Sequence, residues 1–258
     1  MFPSLRDRVA VITGAASGIG RSTAIRLARE GCKLAIADID AAGLDATVSY
    51  VRDLGAEVLA MPVDLARTAQ VKSLGDKIAH HFGYVDILHN NAGANLKLPI
   101  GEITEEAWDR CHAINIKAPF FLTQSLLPHL GRGGRGGVII NTASMGGLRG
   151  MPGNSAYGSA KAALVGMTKV WAVELAPRDV RVHCLAPGTI DTAMPQDVLK
   201  QLSENDRAMW AERFTSRQLF KRFGEPSDVA SVVAFLASDE ATFLTGLVIP
   251  IDGGFSAW

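Results

Sequence analysis

Short apolar runs alternate with longer segments of helical period along almost the whole chain. The runs at 8–13, 33–37, 57–61, 86–89, 138–142, 181–186 and 247–251 are rich in valine, isoleucine and leucine. Most are nearly continuous in apolar character, as strands covered on both faces of a parallel sheet are. Between them the pattern predicts helices over 19–30, 40–54, 69–82, 105–116, 119–130, 156–176 and 227–236. Seven strands alternating with helices predict an α/β fold, an open, doubly wound parallel sheet with right-handed crossovers and helices on both faces.

No Pro/Ser-rich linker or shift in composition divides residues 1–258, so the pattern predicts one domain. Two stretches break the alternation. The run 131–137 (GRGGRGG) lies between a helix and a strand, which favours a surface turn over a small RNA-binding tract. Residues 191–223 carry Met194, Leu199, Leu202, Met209, Trp210, Phe214 and Leu219. A helical flap is expected there, because open sheets bind ligands beyond the carboxyl ends of their strands. Apolar residues at this spacing more often serve as core than as pocket lining.

Composition narrows the function classes. The 26 basic and 26 acidic residues cancel, which removes the electrostatic case for nucleic acid or an anionic membrane. No stretch approaches the roughly 18 apolar residues of a membrane span, and charges interrupt the N-terminal apolar run early. Cys32, Cys111 and Cys184 are scattered without metal-like spacing, which fits a reducing, cytoplasmic setting. The six histidines show no paired ligand spacing or HExxH context, so no metal is expected.

The first strand runs directly into Gly14-Ala-Ala-Ser17-Gly18-Ile19-Gly20, and a helix follows. Glycine permits the tight turn and lets a pyrophosphate approach, while the helix N-terminus offers free N–H groups and partial positive charge. An ordinary glycine-rich βα turn has the same residues. Asp38 closes the second strand, 18 residues after Gly20. Its carboxylate suits ribose hydroxyls and repels a 2′-phosphate, and neither Ser17 nor Ile39 offers a compensating cation. This favours NAD over NADP, with helix capping as the alternative role for Asp38.

With these motifs the sequence resembles the short-chain dehydrogenase/reductase family over essentially its whole length. Thr13-Gly14-xxx-Gly18-Ile19-Gly20 is similar to the family's cofactor motif, and Asn90-Asn91-Ala92-Gly93 to its NNAG motif. Ser144, Tyr157 and Lys161 follow in the family's order, with Tyr-x-x-x-Lys and the serine thirteen residues before the tyrosine. Asn115 sits where the family places a catalytic-site asparagine, and 187–192 (PGTIDT) is similar to its PGxIxT segment. His183 departs from the pattern, where asparagine is more usual. The resemblance implies a Rossmann-like fold with Asn115, Ser144, Tyr157 and Lys161 as catalytic residues. It also implies that Asp64 and Leu65 lie near the adenine, that Asn91, Ala92 and Gly93 wall the ribose, and that Pro187, Gly188, Ile190 and Thr192 hold the carboxamide end. A homotetramer built through the helices 119–130 and 156–176 is implied as well.

Tyr157 is the natural acid/base for an alcohol–ketone pair, but an unperturbed phenol titrates near 10. Lys161 lies one helical turn on, on the same face. A cation at about 4 Å in an effective dielectric of about 20 contributes roughly 4 kcal/mol, which would bring the phenol near neutrality. Ser144 would polarise the substrate oxygen, and Asn115 would hold a water that links Lys161 to solvent. Met145, Leu148 and Met194 are candidates for lining the pocket of a moderately apolar alcohol or ketone. The sequence therefore predicts an NAD-dependent oxidoreductase for a secondary alcohol or polyol and its ketone. A 3-oxoacyl-thioester reductase is the alternative. A cofactor-sensing protein on the same fold is a second, disfavoured because Tyr157 and Lys161 are both present.

Overall fold

Alternation along the strands decides which helices cover which face of the sheet. In β1 (Val9–Thr13), Val11 points to one side while Ala10 and Ile12 point to the other. The computed structural model describes residues 1–131, 134, 136–192 and 215–257. The sheet continues with β2 (Lys33–Asp38), β3 (Val58–Pro62), β4 (Ile87–Asn90), β5 (Gly137–Thr142), β6 (Val180–Pro187) and β7 (Val248–Ile251). All six neighbouring pairs are parallel, in the order β3-β2-β1-β4-β5-β6-β7.

The Val11 side packs on α3 (Thr68–Phe82), α5 (Ala118–Leu126) and α6 (Ser155–Leu175) through Leu74, Ile78, Leu122, Leu126 and Trp171. The opposite side packs on α1 (Gly18–Arg29) and α2 (Ala41–Asp53) through Leu27, Leu44 and Val51. There α7 (Pro226–Ala237) covers β5 and β6 with Val229, Val233 and Leu236. A Rossmann-like sheet clad on both faces follows, as the hydrophobic pattern predicts.

Three local features differ from the pattern. Arg8 lies outside β1; it is 1% exposed and pairs with Asp239 at 2.6 Å while donating to the Ser4 and Ala237 carbonyls. The predicted break between helices at 117–118 is absent. Instead α4 (Glu105–His112) runs through a π turn, Ala113–Lys117, straight into α5. Pro119 has no N–H for the Asn115 carbonyl, and Ala118 donates five residues back to Ala113. Finally α5 ends at Leu126, and Leu130 instead bridges to Val85.

In the run 131–137, Gly131, Gly134 and Gly136 have φ of 74°, 75° and 68°, as a turn requires. Of the expected flap, residues 193–214 lie outside the described residues. Its described end, 215–223, is mostly turns and bends rather than helix. Ile190 forms a parallel bridge with Gly224 at the flap's base. Among the described residues no helix is long and apolar enough to cross a membrane.

Candidate active site

The strand order reverses direction between β1 and β4, so the loops after these two strands part and leave a crevice. Gly14 follows β1 and Asn91 follows β4. The Asn91 amide donates to the carbonyls of Thr13 (2.9 Å) and Gly14 (3.2 Å), and the Thr13 hydroxyl accepts from the N–H groups of Asn91 and Ala92, both at 3.1 Å. This clamp holds the glycine turn. A Cβ on Gly20 would sit 2.0 Å from the Gly14 carbonyl oxygen, and one on Gly14 2.8 Å from the Ala92 Cα. Gly14 also has φ of 69°.

Ser17 enters α1 extended and makes no side-chain cap, and the first turn holds no acidic residue. The helix therefore presents uncapped N–H groups and its positive end to the crevice, a cradle that fits a pyrophosphate. Gly18 has Thr192 across from it, where a Cβ would lie 2.9 Å from Cγ2. Ile19 packs towards the α7 core instead.

Asp38 leans over this turn. Its carboxylate accepts from the N–H groups of Ala16 (2.9 Å) and Asp40 (3.0 Å). The cap of α2 is Asp40, which accepts from Gly43, so capping does not explain Asp38. Asp64 accepts from the Ala66 N–H and lies within 3.6–3.8 Å of Arg67 and Arg110; Leu65 is buried beside it. At the far end, Gly188 donates to the Ile251 carbonyl and packs on Asp252, and Ile190 is buried.

The chemistry-bearing side chains gather where α6 passes the ends of β4 and β5. The buried Lys161 ammonium donates to the Thr142 carbonyl at 2.8 Å and lies 5.7 Å from the centroid of the Tyr157 ring. The amide nitrogen of Asn115 is held by the carbonyls of Ala94 and Cys111, each at 2.8 Å. Its Oδ1 is buried without a hydrogen-bond partner among the described residues. That oxygen and the Lys161 Nζ both face Gly93, at 2.9 and 3.1 Å from where a Cβ would stand. The π turn thus delivers an orphan acceptor to the lysine's side of the site.

Ser144 accepts from the Gly146 N–H at 3.1 Å and starts a short loop that lies on α6. Contact is close because three glycines meet there. A Cβ on Gly147 would stand 2.7 Å from the Lys161 carbonyl carbon, and one on Gly158 would stand 2.8 Å from the Gly146 oxygen. Met145 is 2% exposed and Leu148 38% exposed; Met194 lies outside the described residues.

The expected effect of Lys161 on Tyr157 is corrected. Burial raises the Tyr157 phenol above its ordinary value, with its hydrogen bond to Ser144 working against that rise. Burial also brings Lys161 down to about 8. Removal from water penalises both charged forms, and the ammonium spends its close contact on a carbonyl rather than on the phenolic oxygen. At neutral pH the pair therefore stands as phenol and ammonium, a proton donor backed by a cation.

Thr142, Gly147 and Gly158 escape the sequence reading, although the small residues flanking Ser144 and Tyr157 are a visible trace of close loop–helix contact. His89, which meets the Thr142 hydroxyl at 2.8 Å, and His183 are buried and neutral, held by burial to about 3 and about 4. Among the described residues no group of three or more His, Cys, Asp or Glu converges on one point.

The family model described as enoyl-(acyl carrier protein) reductase matches residues 14–256. The chain is 40% identical over 250 residues to 3-oxoacyl-(acyl-carrier-protein) reductase FabG of Thermotoga maritima, covering 97% of this chain and 98% of that protein. It is also 40% identical over 254 residues to levodione reductase of Leifsonia aquatica, covering 97% of this chain and 95% of the other. The crystal structure of levodione reductase superimposes with a TM-score of 0.91 over 98% of each chain. A blue fluorescent protein from a metagenomic library, solved in complex with NADPH, is 33% identical with a TM-score of 0.89, covering 98% of this chain and 99% of that one.

Proposed function

The chain belongs to the short-chain dehydrogenase/reductase family of oxidoreductases, and from that premise we propose that it interconverts a secondary alcohol and its ketone with NAD. The observation that carries the reading is the meeting of Tyr157, Lys161, Ser144 and Asn115 beside a glycine turn fitted for pyrophosphate. A bound nicotinamide supplies or accepts the hydride.

The protein's own part is to hold and move a proton. In reduction, the Tyr157 phenol donates its proton to the substrate oxygen as negative charge develops there; Ser144 holds that oxygen by a second hydrogen bond. Lys161 stabilises the phenolate left behind, and its ammonium, near a pKa of about 8, returns the proton to Tyr157. Asn115 offers its orphan Oδ1 on the same side, so a water bound there would reload the lysine. Oxidation is the same path reversed.

Asp38 supports NAD over NADP: a carboxylate fixed against the glycine turn meets ribose hydroxyls favourably and a phosphate unfavourably. A second reading, 3-oxoacyl-thioester reduction, is favoured by the identity to FabG. Phe120, Val170 and Val173 leave an apolar face exposed on α5 and α6, at 40%, 54% and 77%, which supports assembly into a homotetramer through these helices. The three cysteines are buried thiols, in keeping with a reducing compartment such as the cytoplasm.

The test is a panel of secondary alcohols, polyols, ketones and 3-oxoacyl thioesters assayed with NAD(H) and NADP(H), alongside Tyr157→Phe. The variant is expected to lose turnover by about 10²–10⁴-fold while binding cofactor as before. Turnover within tenfold of the native enzyme would remove Tyr157 from the reaction.

A further inference from the structure

The chain after β7 folds into a knot around one carboxylate. Asp252, 7% exposed, accepts the Gly254 N–H on Oδ1 (3.0 Å) and the Ser256 N–H on Oδ2 (2.9 Å). Gly253 and Gly254 take φ of 61° and 86°, conformations open to glycine at little cost. Leu219 lies against Gly254, where a Cβ would come within 2.7 Å of its side chain.

The knot touches three segments around the cleft. The Gly253 carbonyl accepts the N–H groups of Leu219 (2.8 Å) and Phe220 (3.0 Å), downstream of residues 193–214. The Ser256 carbonyl accepts from Arg149 Nη2 at 2.9 Å, at the end of the loop that begins with Ser144. The backbone of Asp252 itself packs on Gly188, in the segment proposed for the carboxamide.

We infer that Asp252 is a positioning residue: by folding the tail it ties the Ser144 loop and the Leu219–Phe220 segment to the end of β7, and so sets the substrate side of the cleft. The role in catalysis rests on the proposed oxidoreductase reading; the mechanical tie does not. Asn at this position keeps the shape but turns one acceptor into a donor facing an N–H. That replaces an attraction with a repulsion at a site where the charged hydrogen bonds are strong.

Two measurements on the full chain test the inference. In hydrogen exchange, Asp252→Asn is expected to speed the Leu219 and Phe220 amides and those of Gly146 and Gly147 by at least about tenfold, leaving β1 and β4 unchanged. Arg149→Met is expected to loosen only the Ser144 loop, with Arg149→Lys restoring part of the protection. In kinetics, both Asp252→Asn and Arg149→Met should raise the KM of the alcohol or ketone about fivefold or more, with kcat and cofactor Kd within about twofold.

Faster exchange confined to 252–257 would overturn the tie. So would Ser144-loop protection unchanged in Arg149→Met, or substrate KM and cofactor Kd rising together. Arg149→Met decides the matter if Asp252→Asn does not fold. Absence of turnover by the native chain across the panel would sink the oxidoreductase reading, and the exchange data would still decide the tie.

Discussion

Gly93→Ala places one methyl group where the reaction machinery is tightest. Gly93 does not occupy the left-handed region, so alanine carries no backbone strain there. Its Cβ would stand 2.9 Å from Asn115 Oδ1 and 3.1 Å from Lys161 Nζ, and something must yield. The Asn115 amide is anchored by two carbonyls at 2.8 Å inside a buried turn, so moving it strands polar groups. Lys161 has the flexible stem, and it yields by stretching its 2.8 Å bond to Thr142. Overpacking of this kind costs about 1–3 kcal/mol.

Borne by the lysine, that strain predicts a fall in kcat of about ten- to a hundredfold. The melting temperature should drop by about 2–12 °C, since about 1 kcal/mol corresponds to about 2–4 °C in a chain of this size. The assay follows reduced nicotinamide absorbance beside a thermal melt. Gly101→Ala is the control: no atom lies within 4 Å of its Cβ, and it should be silent in both. Native kcat in Gly93→Ala, or a large loss of Tm with kcat intact, would refute the reasoning.

Asp38→Ala combined with Ile39→Arg should shift the ratio of kcat/KM for NAD and NADP towards NADP by at least about tenfold, since Ile39 is 62% exposed and accepts a guanidinium freely; an unchanged ratio would count against the role of Asp38. His183 is held at about 4 by burial and by the neighbouring Arg181, against 6.5 when exposed. Between those values the unfolded chain binds more protons, so stability falls as pH drops from about 6.5 to about 4. His183→Asn should remove about 2–3 kcal/mol of the difference between urea unfolding at about pH 7.5 and about pH 4.5, and an unaltered difference would show that the ring is not the source.

What the sequence made legible was local. The strand–helix alternation, the glycine turn and the i, i+4 pairing of Tyr157 with Lys161 are written in adjacent residues, and the structure has all three. What stayed hidden depends on distant surroundings. The direction of the Tyr157 shift is decided by burial from every side, and a pairwise estimate with Lys161 leaves that out. The Thr142 carbonyl that occupies the ammonium comes from 19 residues upstream, on a different element. Pro119 read as a break between helices, because its missing N–H is local while the π turn that absorbs it depends on packing at both ends. The tail at Asp252 needed the Leu219 and Arg149 partners before its two glycines had a meaning.

The extra residue in that π turn also makes the length of the segment a constraint in its own right. Deleting one residue of Ala113–Lys117 would close the turn into regular helix and leave α5 in its present register, because the wide turn has already absorbed the extra residue. Leu122 and Leu126 would stay on the sheet while Asn115 lost its two carbonyls. Substitution in this stretch changes one side chain at a time; a one-residue deletion unseats the reaction centre and spares the core.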